Sequence, residues 1–335
     1  MRLFLFCNLL KINSIFWPFF DILAKHVDSI DSSKRYSEMK PRKKPMKLLK
    51  FAICLLCTFF GTAAFADEHA ENLAREAAHQ GYDEEFVDLV EMVYGKGFLS
   101  QGSKKSVDAI VGDLQLEGRK VLDIGSGLGS PALYLAEEYG ADVTGIDPQA
   151  WMIKRANLNL GEARHRLKGS VEFVLLENPS NLEQFADASF DVVFSKEALL
   201  HVPLQIKEAF FKEIFRVLKP QGKLLIMDWL RSSSNYSANT KKMMEMDGVA
   251  FHLVTPIKYL EILKSAGFAQ IEMKNTSLEH AAFSRENIAT IEKLSAQIQE
   301  RFGKEVYDYC IESWGYQRDA FQAQEIMTAI FKASK

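Results

Sequence analysis

The run Val121-Leu122-Asp123-Ile124-Gly125-Ser126-Gly127-Leu128-Gly129 constrains the fold of this chain more than any other feature. A short apolar strand passes straight into three alternating glycines, and a helical pattern follows from Ser130 to Tyr139. Glycines in that place let the backbone turn tightly and approach a ligand with no side chain in the way. A strand that feeds a helix in this manner belongs to a parallel sheet, whose ligands lie in the crevice outside the carboxyl ends of the strands.

The rest of the chain keeps the alternation. Apolar runs place strands at 142 to 146, 171 to 176, 190 to 194 and 223 to 229, with helices at 151 to 167 and 204 to 218 between them. The second helix carries Phe210, Phe211, Ile214, Phe215 and Leu218 on its buried face and stops at Pro220-Gln221-Gly222. Further strands are expected at 270 to 274 and 328 to 332. The fold class is therefore α/β, a Rossmann-like doubly wound sheet of about seven strands, mostly parallel with an antiparallel last strand.

Ahead of the sheet, residues 84 to 94 carry Phe86, Leu89, Val90 and Val93 at the spacing of one helical face, and 104 to 116 form a second helix. Residues 67 to 118 read as an N-terminal helical lid on a core of 119 to 335. That core has helical insertions at about 231 to 254, a polar stretch, and 280 to 325.

Residues 1 to 66 differ in kind. Lys43-Lys44-Pro45-Met46-Lys47 leads into the apolar run Phe51 to Phe60, and Ala64-Phe65-Ala66 precedes Asp67-Glu68. A charged segment, a short apolar run and an A-x-A site form the pattern of a secretory signal peptide, here at about 46 to 66. The run is short for a membrane span, and Leu56 before Cys57 argues against a lipoprotein site. Some 40 residues precede this pattern, which points to Met39 or Met46 as the true start. Two readings stand: an exported protein, periplasmic or secreted, with no stable span once the leader is removed, or a protein held at the membrane or in the cytoplasm.

Charge and cysteine content exclude other classes. A net charge of -3, with no long Lys/Arg run after residue 50, lacks the electrostatic footprint of a nucleic-acid binder. Cys7, Cys54 and Cys57 lie in the leader and leave Cys310 alone, so neither an internal disulfide of the mature chain nor a metal cluster is expected. A small-molecule substrate is the expected partner, and the oligomeric state is left open.

On its own the glycine loop suits nicotinamide, flavin or S-adenosylmethionine (SAM) cofactors. Two details favour SAM. Asp123 sits just ahead of the glycines, where a pyrophosphate would meet a carboxylate, and Ser130 stands where a dinucleotide fingerprint needs glycine. SAM has no phosphate, and its methionine ammonium suits an acid. Asp147 ends the second strand, where a carboxylate can take both ribose hydroxyls. Glu177 ends the third strand, within reach of an adenine amino group. Each acid also fits a plain helix cap.

The segments Val121 to Gly129, Gly145-Ile146-Asp147, Phe190 to His201 and Leu218-Lys219-Pro220-Gln221-Gly222 resemble the successive motifs of class I SAM-dependent methyltransferases. More closely, Tyr82, Tyr94-Gly95, Leu99-Ser100, Leu122 to Gly129 and Ala198-Leu199-Leu200-His201 resemble the small phosphoethanolamine N-methyltransferases, over roughly residues 80 to 335. The resemblance implies methyl transfer from SAM to an amine, with Tyr82 and His201 as a hydrogen-bonded dyad over the cofactor. His201 suits removal of the ammonium proton before the nitrogen lone pair attacks. Ser100, Asp123, Gly125, Gly127, Asp147, Pro148, Glu177 and Lys196 are then the cofactor-binding set. Where the family gathers tyrosines, an arginine and a lysine around the phosphate, this chain has Trp229, Val249, Phe251 and Gln317. Glu197, Trp229, Phe251 and Gln317 are the acceptor-site candidates. Trp229 and Phe251 fit two descriptions equally: ordinary core, or faces for an alkylammonium, a contact worth roughly 0.5 to 2 kcal/mol. An oxygen, sulfur or carbon acceptor, and an exported inactive SAM-binding protein, are the competing functions.

Overall fold

A computed structural model describes residues 84–232, 235–246 and 251–335. Its centre is a seven-stranded sheet in the order β3-β2-β1-β4-β5-β7-β6. The strands are β1 (Lys120–Ile124), β2 (Asp142–Asp147), β3 (Ser170–Leu175), β4 (Phe190–Lys196), β5 (Leu218–Arg231), β6 (Ala269–Asn275) and β7 (Ile326–Ser334). Pairings from β3 through β5 are parallel, while β7 runs antiparallel to both β5 and β6.

The central strands β1, β4 and β5 are buried on both faces because they are apolar at successive positions. Leu122, Ile124, Val193, Leu224 and Ile226 enter one core, while Val121, Val192, Phe194, Leu225 and Met227 enter the other. That is the two-residue period of a strand dividing one sequence between two layers. Phe194 is fully buried, so Phe194→Ala costs about 3 to 5 kcal/mol.

Helices cover these faces. Before β1 lie α1 (Glu84–Tyr94) and α2 (Ser103–Val111), in the segment expected to be a lid. Crossovers use α3 (Ser130–Tyr139), α4 (Ala150–Ala163) and α5 (Leu204–Val217). After β5 come α6 (Ala238–Met246) and α7 (Pro256–Ala266). Between β6 and β7 lie α8 (Ser277–Lys293), α9 (Ser295–Phe302) and α10 (Lys304–Gln322). The face of α1 formed by Leu89, Val90 and Val93 packs on Ile291, Ile298, Cys310 and Trp314, so this N-terminal helix rests on the helices between β6 and β7.

Several boundaries differ from the sequence reading. The second helix stops at Val111 because Gly112 follows at φ 60. On α1 it is Val87 that is buried, while Phe86 turns toward a cleft. Helix α5 ends at Val217, and β5 already starts at Leu218. The ladder pairs Phe190 with Leu218 and then Val192 with Lys223, which accommodates the Pro220-Gln221-Gly222 turn as an irregularity within the strand. The 231 to 254 stretch contains α6, and its residues 247–250, with Val249, lie outside the described residues. So do Tyr82 and the whole 1 to 66 leader. Among the described residues no helix is long and apolar enough to cross a membrane.

Candidate active site

Strand order reverses at β1, which pairs with β2 on one side and β4 on the other. At the carboxyl ends of these strands lies a cleft of about 250 Å³. The glycine loop forms part of its wall. Gly125 has φ 76, and a Cβ there would lie 2.2 Å from the Cβ of Ala198; at Gly127, φ 52, it would lie 2.8 Å from Leu99 Cδ1. Side chains would therefore close the cleft against its own walls as well as strain the loop.

Two acids sit where β1 and β2 end. Asp147 lines the cleft, and its Oδ2 accepts the Gly127 N–H at 3.1 Å while Oδ1 accepts the Gln149 N–H at 2.9 Å. Burial nevertheless raises its pKa to about 6, those two bonds acting in the opposite direction. Asp123 is 1% exposed, and its Oδ2 has no hydrogen-bond partner. Burial, reinforced by the nearby Asp147 charge and opposed by Lys196, pushes it up to about 7. A buried carboxylate in this state is costly unless a cation meets it. The Ser126 hydroxyl, on the same loop, is also buried without a partner.

The far end of the cleft is built around Glu197, the residue after β4, held at φ 54. Its Oε1 is 2.9 Å from His280 Nε2 and 3.6 Å from Lys196 Nζ, and its Oε2 accepts the Trp229 indole N–H at 3.0 Å. Burial alone would raise this acid, but Lys196 and His280 outweigh it and hold the carboxyl at about 2. Lys196 also donates to the Ser100 hydroxyl and, at 2.9 Å, to the Gln101 carbonyl, tying β4 to the loop before α2.

His201 ends a short 3-10 turn, Leu199–His201, and lines the cleft. Its ring centroid is 5.9 Å from that of Phe251, which lies 5.3 Å from that of Trp229. The three rings form a row leading toward Glu197. Trp229 is core and wall at once: 8% exposed, it meets Phe321 edge-on and still faces the cleft.

Ser100, Gly125, Gly127, Asp147, Pro148, Lys196, Glu197, His201, Trp229, Phe251 and Gln317 are thus gathered around one cleft. Asp123 lies just behind its wall. Glu177 departs from the expectation: it is exposed beyond the end of β3, and Leu176 and Pro179 line the cleft in its place.

Several polar residues that the sequence reading passed over brace this site. His280 is fully buried between Glu197 and Thr328, its Nδ1 lying 3.0 Å from Thr328 Oγ1. Gln101 donates to Gln317 Oε1 at 2.8 Å and accepts from Ser284 and Asn287. Beneath the His201 turn, Lys207 donates to the carbonyls of Leu199 at 2.8 Å and His252 at 3.1 Å. Asp228 accepts the Leu200 N–H and the Tyr259 hydroxyl, each at 3.0 Å. A signal existed for two of these. Lys207 shares the buried stripe of Phe210, Phe211 and Ile214, and Asp228 interrupts the apolar run of β5.

Comparison with known proteins follows the same lines. A methyltransferase domain model matches residues 122–226. Phosphoethanolamine N-methyltransferase 1 of Arabidopsis thaliana is 32% identical over 246 residues, which is 73% of this chain and 48% of the plant enzyme. The phosphoethanolamine N-methyltransferase of Plasmodium falciparum is 31% identical over 198 residues, 58% of this chain and 71% of that protein. Among solved structures, phosphoethanolamine N-methyltransferase 2 of Haemonchus contortus, in complex with phosphomonomethylethanolamine and S-adenosylhomocysteine, superposes with a TM-score of 0.68 at 25% identity. The match covers 76% of this chain and 58% of that one. The chain spans about half the length of the plant relatives it matches.

Proposed function

Because this chain belongs to the phosphoethanolamine N-methyltransferase family of class I SAM-dependent methyltransferases, we propose that it transfers a methyl group from SAM to the nitrogen of a small-molecule amine. One observation carries this reading: a single cleft runs from Asp147, with the unpaired Oδ2 of Asp123 buried just behind its wall, to an ionised Glu197 and His201 at the other end.

The donor set suits SAM. Asp123 has an unused buried oxygen for the methionine ammonium, Asp147 faces the cleft for the ribose hydroxyls, and the bare backbone at Gly125 and Gly127 leaves room beside them. When bound, SAM supplies an electrophilic methyl on a sulfonium. The protein's own residues do the rest. Glu197 holds the acceptor's ammonium by charge-assisted hydrogen bonding. His201 takes the proton that frees the nitrogen lone pair, directly or through water. Trp229 and Phe251 wall the acceptor from solvent, and the family resemblance gives Tyr82 the role of orienting His201. Positioning acceptor and donor in line accounts for most of the rate in such a displacement.

Incubating the full chain with methyl-labelled SAM and a panel of small amines tests this. The expected product carries the label on nitrogen, with one S-adenosylhomocysteine formed per methyl. Label found only on oxygen, sulfur or carbon would sink the amine reading.

We also propose that the chain is exported, supported by the signal-peptide pattern at about 46 to 66. Sequencing the mature amino terminus should give Asp67. A mature protein retaining Lys47 to Ala66 would contradict export by cleavage.

A further inference from the structure

We propose that the acceptor is a small alkylamine whose far end carries no phosphate or other anion, a departure from the phosphorylated amines for which the family is named. This rests on the N-methyltransferase reading and concerns the same cleft.

Among the described residues lining the cleft, Lys196 is the sole lysine or arginine. An ammonium has three donors, and those of Lys196 face the Ser100 hydroxyl, the Gln101 carbonyl and the Glu197 carboxylate. The indole N–H of Trp229 is likewise committed, to Glu197 Oε2 at 3.0 Å. A buried phosphate needs several charge-assisted donors to replace its water, and these two groups have none to spare. Arg231 lies two residues beyond Trp229 on β5 but does not line the cleft.

What the acceptor end does present suits a cation with a neutral tail. Glu197 is ionised and buried, so it repels a second anion and attracts an ammonium. The rings of Trp229 and Phe251, 5.3 Å apart, offer surfaces for N-alkyl groups beside it. The polar residues farther along the lining, Ser313, Gln317 and Tyr309, carry no charge that would call for an anionic tail.

The test uses two ligands differing only in the phosphoryl group. S-adenosylhomocysteine binding to the full chain is measured first by calorimetry. N-methylethanolamine and phosphomonomethylethanolamine are then titrated into the loaded protein. N-methylethanolamine should bind at least tenfold more tightly. Glu197→Gln should weaken its binding tenfold or more, while Arg231→Ala should change neither ligand more than about twofold. Equal or tighter binding of the phosphorylated amine, or binding of neither, overturns the inference while leaving the cofactor site intact. Failure to bind S-adenosylhomocysteine overturns instead the methyltransferase reading beneath it.

Discussion

Asp123 and Glu197 are both buried carboxylates, at the ends of adjacent strands β1 and β4, yet their chemistry is opposite. Burial drives Asp123 up to about 7, with Lys196 too weak an influence to offset it. Glu197 suffers the same burial, but Lys196, His280 and Trp229 together hold it at about 2. At the proposed acceptor end the protein supplies the Lys196 charge and hydrogen-bonding partners itself and keeps a buried anion. At the cofactor end it leaves a charge incomplete, and only a cationic ligand completes it. A site that pre-pays at one end and waits at the other binds its two ligands for different reasons.

The linkage signs differ accordingly. An acid whose folded pKa is raised binds its proton more tightly folded than unfolded, so Asp123 costs stability as pH rises from about 4 to about 7. Glu197, with a depressed pKa, contributes stability above its unfolded value, and that contribution is lost as pH falls toward about 2. The two ends should therefore respond in opposite senses to neutralisation.

The largest effect is expected at His201, the proposed proton acceptor, which lines the cleft beside Phe251. His201→Ala should lower kcat by roughly 10² to 10⁴-fold, with S-adenosylhomocysteine affinity measured by calorimetry unchanged. A fall in cofactor affinity of similar size would move His201 to the cofactor end. Next comes Glu197→Gln, which leaves Lys196 and His280 without their anion. It should cost about 3 kcal/mol of stability and roughly 10 to 100-fold in kcat/KM for the amine.

Asp123→Asn gives the sharpest contrast. It should weaken SAM binding by roughly tenfold or more and yet raise the melting temperature of the ligand-free protein at about pH 8 by on the order of 5 °C. Lower stability in that variant would show that Asp123 is a structural cap. The smallest effect is expected from Lys207→Met, beneath the His201 turn. Turnover should drop by roughly three to tenfold with KM for SAM little changed, because the loss acts through the position of His201.

Much of this was legible in the chain. Alternating apolar strands and amphipathic helices fix a doubly wound sheet, and Gly125, Gly127 and Asp147 follow from what a ligand crevice needs at a strand end. Glu177 shows where such reasoning stops. A strand-end position places a backbone, but the direction of a side chain depends on the loop after it, and this one leaves the carboxylate in solvent. His280 shows the complementary limit. It sits in a helical stripe with Ala281, Ser284 and Asn287, 83 residues from the glutamate it touches, and no local pattern announces such a contact. Lys207 and Asp228 were readable as charges inside apolar patterns, because burial of either demands a partner.

The most direct measurement is calorimetric titration of the full chain with SAM at about pH 6.5, in buffers of different ionisation enthalpy. At that pH the ligand's amino group is largely charged, its ordinary pKa being about 8, while burial, which raises Asp123 to about 7, leaves its carboxyl partly protonated. Binding should release protons as Asp123 ionises against the ammonium, and that release should vanish in Asp123→Asn. Binding with no proton release, or no binding at all, would contradict the proposed cofactor site.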